Sequence, residues 1–254
     1  MTTLEITRAI ATKVLSVVDA GLVDGVGKPI PGQMCVEAAV CFALGLPHGD
    51  EPGCVSPALR SLKIRLNDSS WSSPQARASG LRRLALAQLG SAGILDEVEF
   101  RRRLVDNALG STVPRAMRIA ASVQKDAKHK AALLAAADRC ERERSRAAAT
   151  DARATARAAY AAAYAAAADA AYAAADAAYA AADAATYAAA AYADADAAAY
   201  AAAAAAYAAA ADAADAKKTA RDKSLAAYAE EVVKILISMD APGCQWLDLA
   251  PLAA

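Results

Sequence analysis

Glycine and proline are missing from Arg115 through Ala241. They are the residues that interrupt helices most readily, so this half of the chain carries no strong local signal for a break. Large aromatic side chains other than tyrosine are scarce: Trp71, Trp246, Phe42 and Phe100 complete the set. The hydrophobic share of 57% owes much to alanine. Alanine buries little area, so a conventional core is expected only in about the first 110 residues, where Leu, Ile and Val are frequent.

An excess of charge is absent too, with 28 Lys plus Arg against 28 Asp plus Glu. That excludes a global pull toward nucleic acid or an anionic membrane. The cysteines Cys35, Cys41, Cys54, Cys140 and Cys244 are odd in number, with no Cys-x-x-Cys, which argues against a disulfide framework. Met-Thr-Thr-Leu-Glu at the start lacks a basic stretch followed by an apolar one, so no signal peptide is read and a reducing cytoplasm is expected. No run of 18 strongly apolar residues occurs. The alanine tract is long enough to span a bilayer, but an Asp recurs in its centre every seven to eleven residues, which hydrocarbon disfavours.

What is present points to helices. Residues 3–23 carry Leu4, Ile6, Ile10, Val14, Val17, Val18 and Leu22 at helical spacing. After a Gly/Pro-rich break, the apolar run from Met34 to Leu44 predicts a buried helix. Ser56-Pro57 and Ser73-Pro74 each read as an N-cap with proline in the first turn, and Asp96 as the cap of a helix to about Leu109. Val113-Pro114 opens the next helix, and the 115–238 stretch is expected to be almost wholly helical. Residues 217–238 carry an amphipathic stripe, and Cys244 to Leu249 can fold back onto the core.

Residues 158–216 contain only Ala, eight Tyr, seven Asp and Thr186. As one straight helix this tract would be roughly 90 Å long at the α-helical rise. Tyrosine recurs mostly every seven or eight residues, and Asp176 and Asp183 each follow a Tyr by four, sharing its face. The stripe resets between Tyr187 and Tyr192, where a bend or reversal would fit and Asp194 and Asp196 could cap a new helix. A hairpin or stack therefore competes with a rod. Residues 111–150 carry nine basic and four acidic side chains, whereas 158–216 carries only Asp, an asymmetry suited to docking between segments.

Gly32-Gln-Met-Cys-Val-Glu-Ala-Ala-Val-Cys, Leu46-Pro-His-Gly-Asp50, Leu66-Asn-Asp-Ser-Ser-Trp71 and Gly80-Leu-Arg-Arg together resemble a set of uncharacterised bacterial and phage proteins. These share such an N-terminal region and then carry variable Ala/Tyr/Asp tracts. The resemblance covers about a third of the chain and implies no activity. The tract also looks like alanine-rich immunity proteins of bacterial toxin systems. Alanine-rich antifreeze helices are set aside, since they space Thr regularly and this tract has one.

Four sets of residues are candidates for chemistry. Cys35, Cys41, His48 and Cys54 could ligate zinc, but Cys35 and Cys41 point about 120° apart on a helix, so buried cysteines are the simpler reading and no metal is expected. Cys35 near a helix N-terminus could be a nucleophile with a depressed pKa, or a small core residue. His48-Gly-Asp50 could be an oriented histidine, or a turn in which Asp50 caps backbone groups. Arg60, Lys63, Arg65, Arg77, Arg82, Arg83 and Arg101 to Arg103 could neutralise phosphates, but interleaved acids favour a mixed solvated face. In the tract, alanine permits close packing, tyrosine supplies area and aspartate can accept from its hydroxyl, which marks Tyr172, Tyr179, Tyr200, Tyr207, Asp176 and Asp183 as binding residues.

The expected fold is all-α: a short-helix N-terminal domain (1–112), a basic connecting helix (113–157), the Ala/Tyr/Asp region (158–216) packed as hairpin or stack, and a C-terminal helix and tail (217–254). The expected function is non-catalytic: binding a protein partner or self-assembling through the Ala/Tyr/Asp helices, in an immunity- or phage-related setting. No cofactor, nucleic acid or membrane is expected as a partner. The alternatives are an enzyme using Cys35 and a helical nucleic-acid-binding module.

Overall fold

The computed structural model describes residues 5–165, 176, 178–185, 187, 195–210 and 216–252. Among these residues all regular elements are helical, and the only strand-like pairing is an isolated bridge between Gly27 and Met34. The all-α fold is thus established. No helix among the described residues is long and apolar enough to cross a membrane. Contacts divide the chain into two units, one of Met1–Phe100 with Ala226–Ala254, the other Arg101–Leu225.

The first unit contains α1 (Arg8–Asp19), α2 (Val36–Leu44), α3 (Pro57–Asn67), α4 (Pro74–Ala87), the start of α5 (Glu97–Asn107) and the end of α11 (Ala216–Ser238). Its helices begin where polar side chains satisfy the free N–H groups of the first turn. Ser56 accepts from Leu59 N and Ser73 from Ala76 N, each followed by proline. Asp96 Oδ1 accepts from Val98 N and Glu99 N, both at 3.0 Å. Helix α2 stops at Gly45, whose φ of 70° suits a residue without a side chain.

Helix α1 packs against α2 and α4, and a 3₁₀ segment, Pro242–Leu249, closes onto α4 and α1. The expected return of the C-terminal tail is therefore seen. The core is aliphatic, with Leu22, Leu59, Leu62, Leu66, Leu81, Leu84 and Leu86 fully buried. Trp71 donates from Nε1 to Leu66 O at 3.0 Å. A Cβ at Gly80 would lie 2.3 Å from the Trp71 ring, so the glycine makes room for it.

The second unit departs from the sequence reading at two places. A break was expected near Leu109 and Gly110, yet α5 continues through a π-helical turn, Ala108–Thr112, into α6 (Val113–Val123). Pro114 lacks an N–H and its ring crowds the preceding turn, and a widened turn accommodates both. Gly110 admits Arg144 across this turn, since a Cβ there would sit 2.7 Å from Arg144 Nε. Arg144 Nη1 also reaches Asp106 Oδ2 at 2.6 Å.

The second departure lies in the breaker-free half. The basic segment is divided among α6, α7 (Ala127–Glu143) and the start of α8 (Arg146–Ala165). Arg144 adopts a left-handed φ of 44° and its N–H bonds Cys140 O at 2.9 Å, ending α7 without glycine. Ser145 Oγ then caps α8 through Ala148 N at 3.1 Å. Asp126 caps α7 through His129 N at 2.8 Å. Polar caps, not Gly or Pro, place these loops.

Residues 178–185 form α9, and Ala195–Ala210 form α10, which packs on α6. Helix α7 packs on both α6 and α8. Two ring contacts exclude a single rod for the tract. Tyr160 and Tyr179 have centroids 5.7 Å apart, where 19 residues of straight helix would hold them about 28 Å apart. Tyr187 and Tyr200 stack at 4.8 Å with an interplanar angle of 20°. The tract is therefore folded against itself, as the hairpin-or-stack expectation required. Tyr172, Tyr192 and Asp194 lie outside the described residues, as does much of the predicted stripe reset.

Leu84 is fully buried in α4. Leu84→Asp places an unpaired charge there and is expected to lower stability by about 3–5 kcal/mol. Loss of the cooperative thermal transition checks this; a wild-type melting temperature would mean that α4 is not in the core.

Candidate functional site

Five of the six predicted binding residues line one cleft of about 540 Å³ in the second unit. Tyr179, Asp176 and Asp183 come from α9 and the residues before it, Tyr200 and Tyr207 from α10, and Tyr187 and Arg221 complete the wall. The sixth, Tyr172, lies outside the described residues. Helical periodicity explains the grouping. On α9, Ala178, Ala181, Ala182, Ala184 and Ala185 are buried, while Tyr179, Ala180 and Asp183 line the cleft together with Asp176 and Tyr187. On α10, Ala197, Ala198, Ala201, Ala204 and Ala205 are buried, and Tyr200, Ala203, Ala204 and Tyr207 line the cleft.

The cleft combines aromatic faces with a few charges. Arg221 lies 5.7 Å from the centroid of Tyr207, within cation–π range. Burial raises the pKa of Asp183, and the positive charges of Arg157 and Arg153 oppose that rise. Tyr179 and Tyr207 remain 55% and 50% exposed, large rings left open to solvent at the cleft. Arg221 was not singled out from sequence, because it sits beyond the low-complexity tract.

The chemistry candidates of the first unit are held apart by separate partners. Cys35 Sγ accepts from Ala38 N at 3.3 Å and caps α2. A thiolate favoured by the helix terminus was one expectation. Here burial raises the Cys35 pKa and outweighs the backbone hydrogen bonds that lower it, as for a small core residue. His48 Nε2 lies 3.1 Å from Gly27 O, while Asp50 Oδ1 accepts from Arg60 Nη2 at 2.8 Å. The two therefore do not orient each other. Cys41 is pushed up to about 11 by burial, and Cys54 is raised for the same reason. Among the described residues no group of three or more His, Cys, Asp or Glu side chains is placed to hold a metal ion.

Cys35 and Asp50 do share a small cavity of about 190 Å³ with Glu37, Asn67 and Asp68; His48 is not among its lining residues. Glu37 was missed by the sequence reading. It is fully buried, as is Lys63, whose Nζ lies 3.0 Å from Glu37 Oε1. Burial pushes Glu37 up and Lys63 down, each toward its neutral form, and their mutual attraction opposes both shifts. The available signals were a lone acid in an otherwise apolar run and a lysine among Leu59, Leu62 and Leu66.

The basic residues read as a solvated face are also corrected. Lys63 is buried, and Arg77 is nearly so, donating from Nε to Asn67 O and from Nη1 to Leu22 O, both at 2.8 Å. Arg82 pairs with Asp19, and Arg83 with Glu230. Lys63 and Arg77 thus serve internal contacts. No family model matches the chain, and neither a curated protein nor a solved structure is significantly similar to it.

Two measurements follow. In the native chain, Cys35 is expected to react with a disulfide reagent at neutral pH more than about tenfold slower than in the unfolded chain, because burial favours the thiol. Rapid native modification mapped to Cys35 would restore the nucleophile reading. Lys63→Met should cost about 3–5 kcal/mol in denaturant unfolding, and pairing it with Glu37→Leu should recover most of the loss. A double variant no more stable than the single one would contradict the ion pair.

Proposed function

We propose that this chain is a non-catalytic interaction protein that uses its Ala/Tyr/Asp helices to hold a protein partner or a second copy of itself. A bacterial or phage setting, including an immunity role, fits the resemblance of its N-terminal segments and its alanine tract. The observation that carries the reading is the half-exposed pair Tyr179 and Tyr207 on a cleft that also holds Tyr187, Tyr200, Asp176 and Asp183. Each tyrosine can bury roughly 150–250 Å² on association and still offer its hydroxyl a hydrogen bond. Alanines between the rings let a partner backbone approach closely.

The paired substitution Tyr179→Ala and Tyr207→Ala tests this, because both rings stand on the cleft face and alanine keeps helix propensity. Loss of two such anchors should weaken association at least tenfold, with helix content by circular dichroism unchanged. Sedimentation velocity across a concentration series reads self-association. Pull-down from the native host with wild type and variant side by side reads a partner. Monomer at all concentrations together with identical capture by both proteins would reject the proposal.

A further inference from the structure

The cavity of about 190 Å³ in the first unit is lined by Gly25, Val26, Cys35, Val36, Glu37, Asp50, Ile64, Asn67 and Asp68. Its carboxylates do not have equal partners. Asp68 Oδ1 accepts from Gly25 N and Asn67 Nδ2, both at 2.9 Å, and Asp50 is bound by Arg60. Glu37 differs: its side chain is fully buried, and its Oε2 has no hydrogen-bond partner in the protein. Oε1 meets the equally buried Lys63 ammonium at 3.0 Å. An acceptor held away from water without a donor costs on the order of 1–3 kcal/mol, more when charged, so a residue in this state on a cavity wall marks a place where a donor belongs.

We propose that this cavity is a binding site for a small monovalent organic cation, an alkylammonium or guanidinium group, whose N–H donors complete Glu37. Charge favours a cation: the lining carries three carboxylates and no basic side chain, Lys63 reaching Glu37 and Arg60 reaching Asp50 from outside it. The walls favour an organic one. Val26, Val36 and Ile64 present aliphatic surface suited to a short alkyl stem, and among the described residues no ligand set for a metal ion is formed. The size limits the ligand to a fragment, below the roughly 300–1,000 Å³ of drug-sized pockets. Gly25, Val26 and Asp50 belong to the loops at 20–35 and 45–56, and α2 and α3 supply the rest, so the site is built by the core of one unit and stands independently of the tyrosine cleft.

The test is calorimetric titration of the full chain with n-butylammonium and with methylguanidinium, in sodium chloride, against the neutral n-butanol. Saturable one-to-one binding of at least one cation, with butanol at least tenfold weaker, is the expected result. Glu37→Gln should weaken the cation at least tenfold. If that variant fails to fold, Val26→Trp decides, since it fills the cavity from a loop and should abolish binding while the helical spectrum persists. Absence of saturable binding by either cation would show that the cavity holds water alone and overturn the proposal. Binding that survives unchanged in folded Val26→Trp would overturn it as well.

Discussion

The contact between Glu37 and Lys63 sets how α2 lies against α3 in the first unit. Each ion loses its hydration on burial, a penalty of several kcal/mol that only a close opposite charge offsets. Helix α2 brings one partner and α3 the other, at 3.0 Å with no exposure. Any slip of α2 against α3 would strand both charges. A polar network extends the constraint. Asn67 accepts from Val36 N at 3.3 Å, pinning the start of α2, and donates to Val23 O at 2.9 Å. Arg77 on α4 then holds Asn67 O and Leu22 O. Three helices and one loop are thus fixed in register by four polar side chains inside a leucine core. The same arrangement leaves Glu37 short of donors beside a cavity, so the register device and the candidate cation site share one residue.

The second unit is held differently. It has few large apolar side chains, and its buried surface is largely alanine, from Ala148 to Ala205. Small side chains let helices come close, where many weak dispersion contacts replace the burial of a few large groups. Tyrosines supply the larger contacts: Tyr160 with Tyr179, and Tyr187 with Tyr200. Helix ends are fixed by ion pairs and caps. Arg118 joins Asp138 and Glu141, Arg139 joins Glu143 and Asp151, and Arg144 joins Asp106. Arg118, Arg139 and Arg144 are thereby bound to acids of their own unit.

Much of the tyrosine cleft was legible in advance. Tyr179 and Asp183 share one helix face and Tyr200 and Tyr207 another, and that spacing is visible in a sequence otherwise reduced to alanine. The first unit's chemistry was less legible. Cys35 looked like a thiol activated by a helix terminus, but activation depends on solvent, and its side chain is enclosed. Lys63 and Arg77 looked like members of a solvated face, yet a lysine or arginine has the same local pattern whether its head reaches water or an internal acceptor. Burial is a property of the neighbours.

The sequence by itself determined the helical class, the starts of α3, α4 and α5 at Ser56, Ser73 and Asp96, and the one-sided Tyr/Asp pattern of the tract. Each of these depends on residues within one or two turns of one another, where the physics is local. Tertiary structure decided the loops at Gln124–Lys125 and Arg144–Ser145, the passage of helix through Gly110 to Pro114, the enclosure of Glu37 with Lys63, and the return of residues after Ala226 to the first unit. Alanine favours a helix equally well in any of these packings, so its sequence cannot rank them. Contacts between residues far apart in the chain can, and in this protein a few charges, caps and rings supply them.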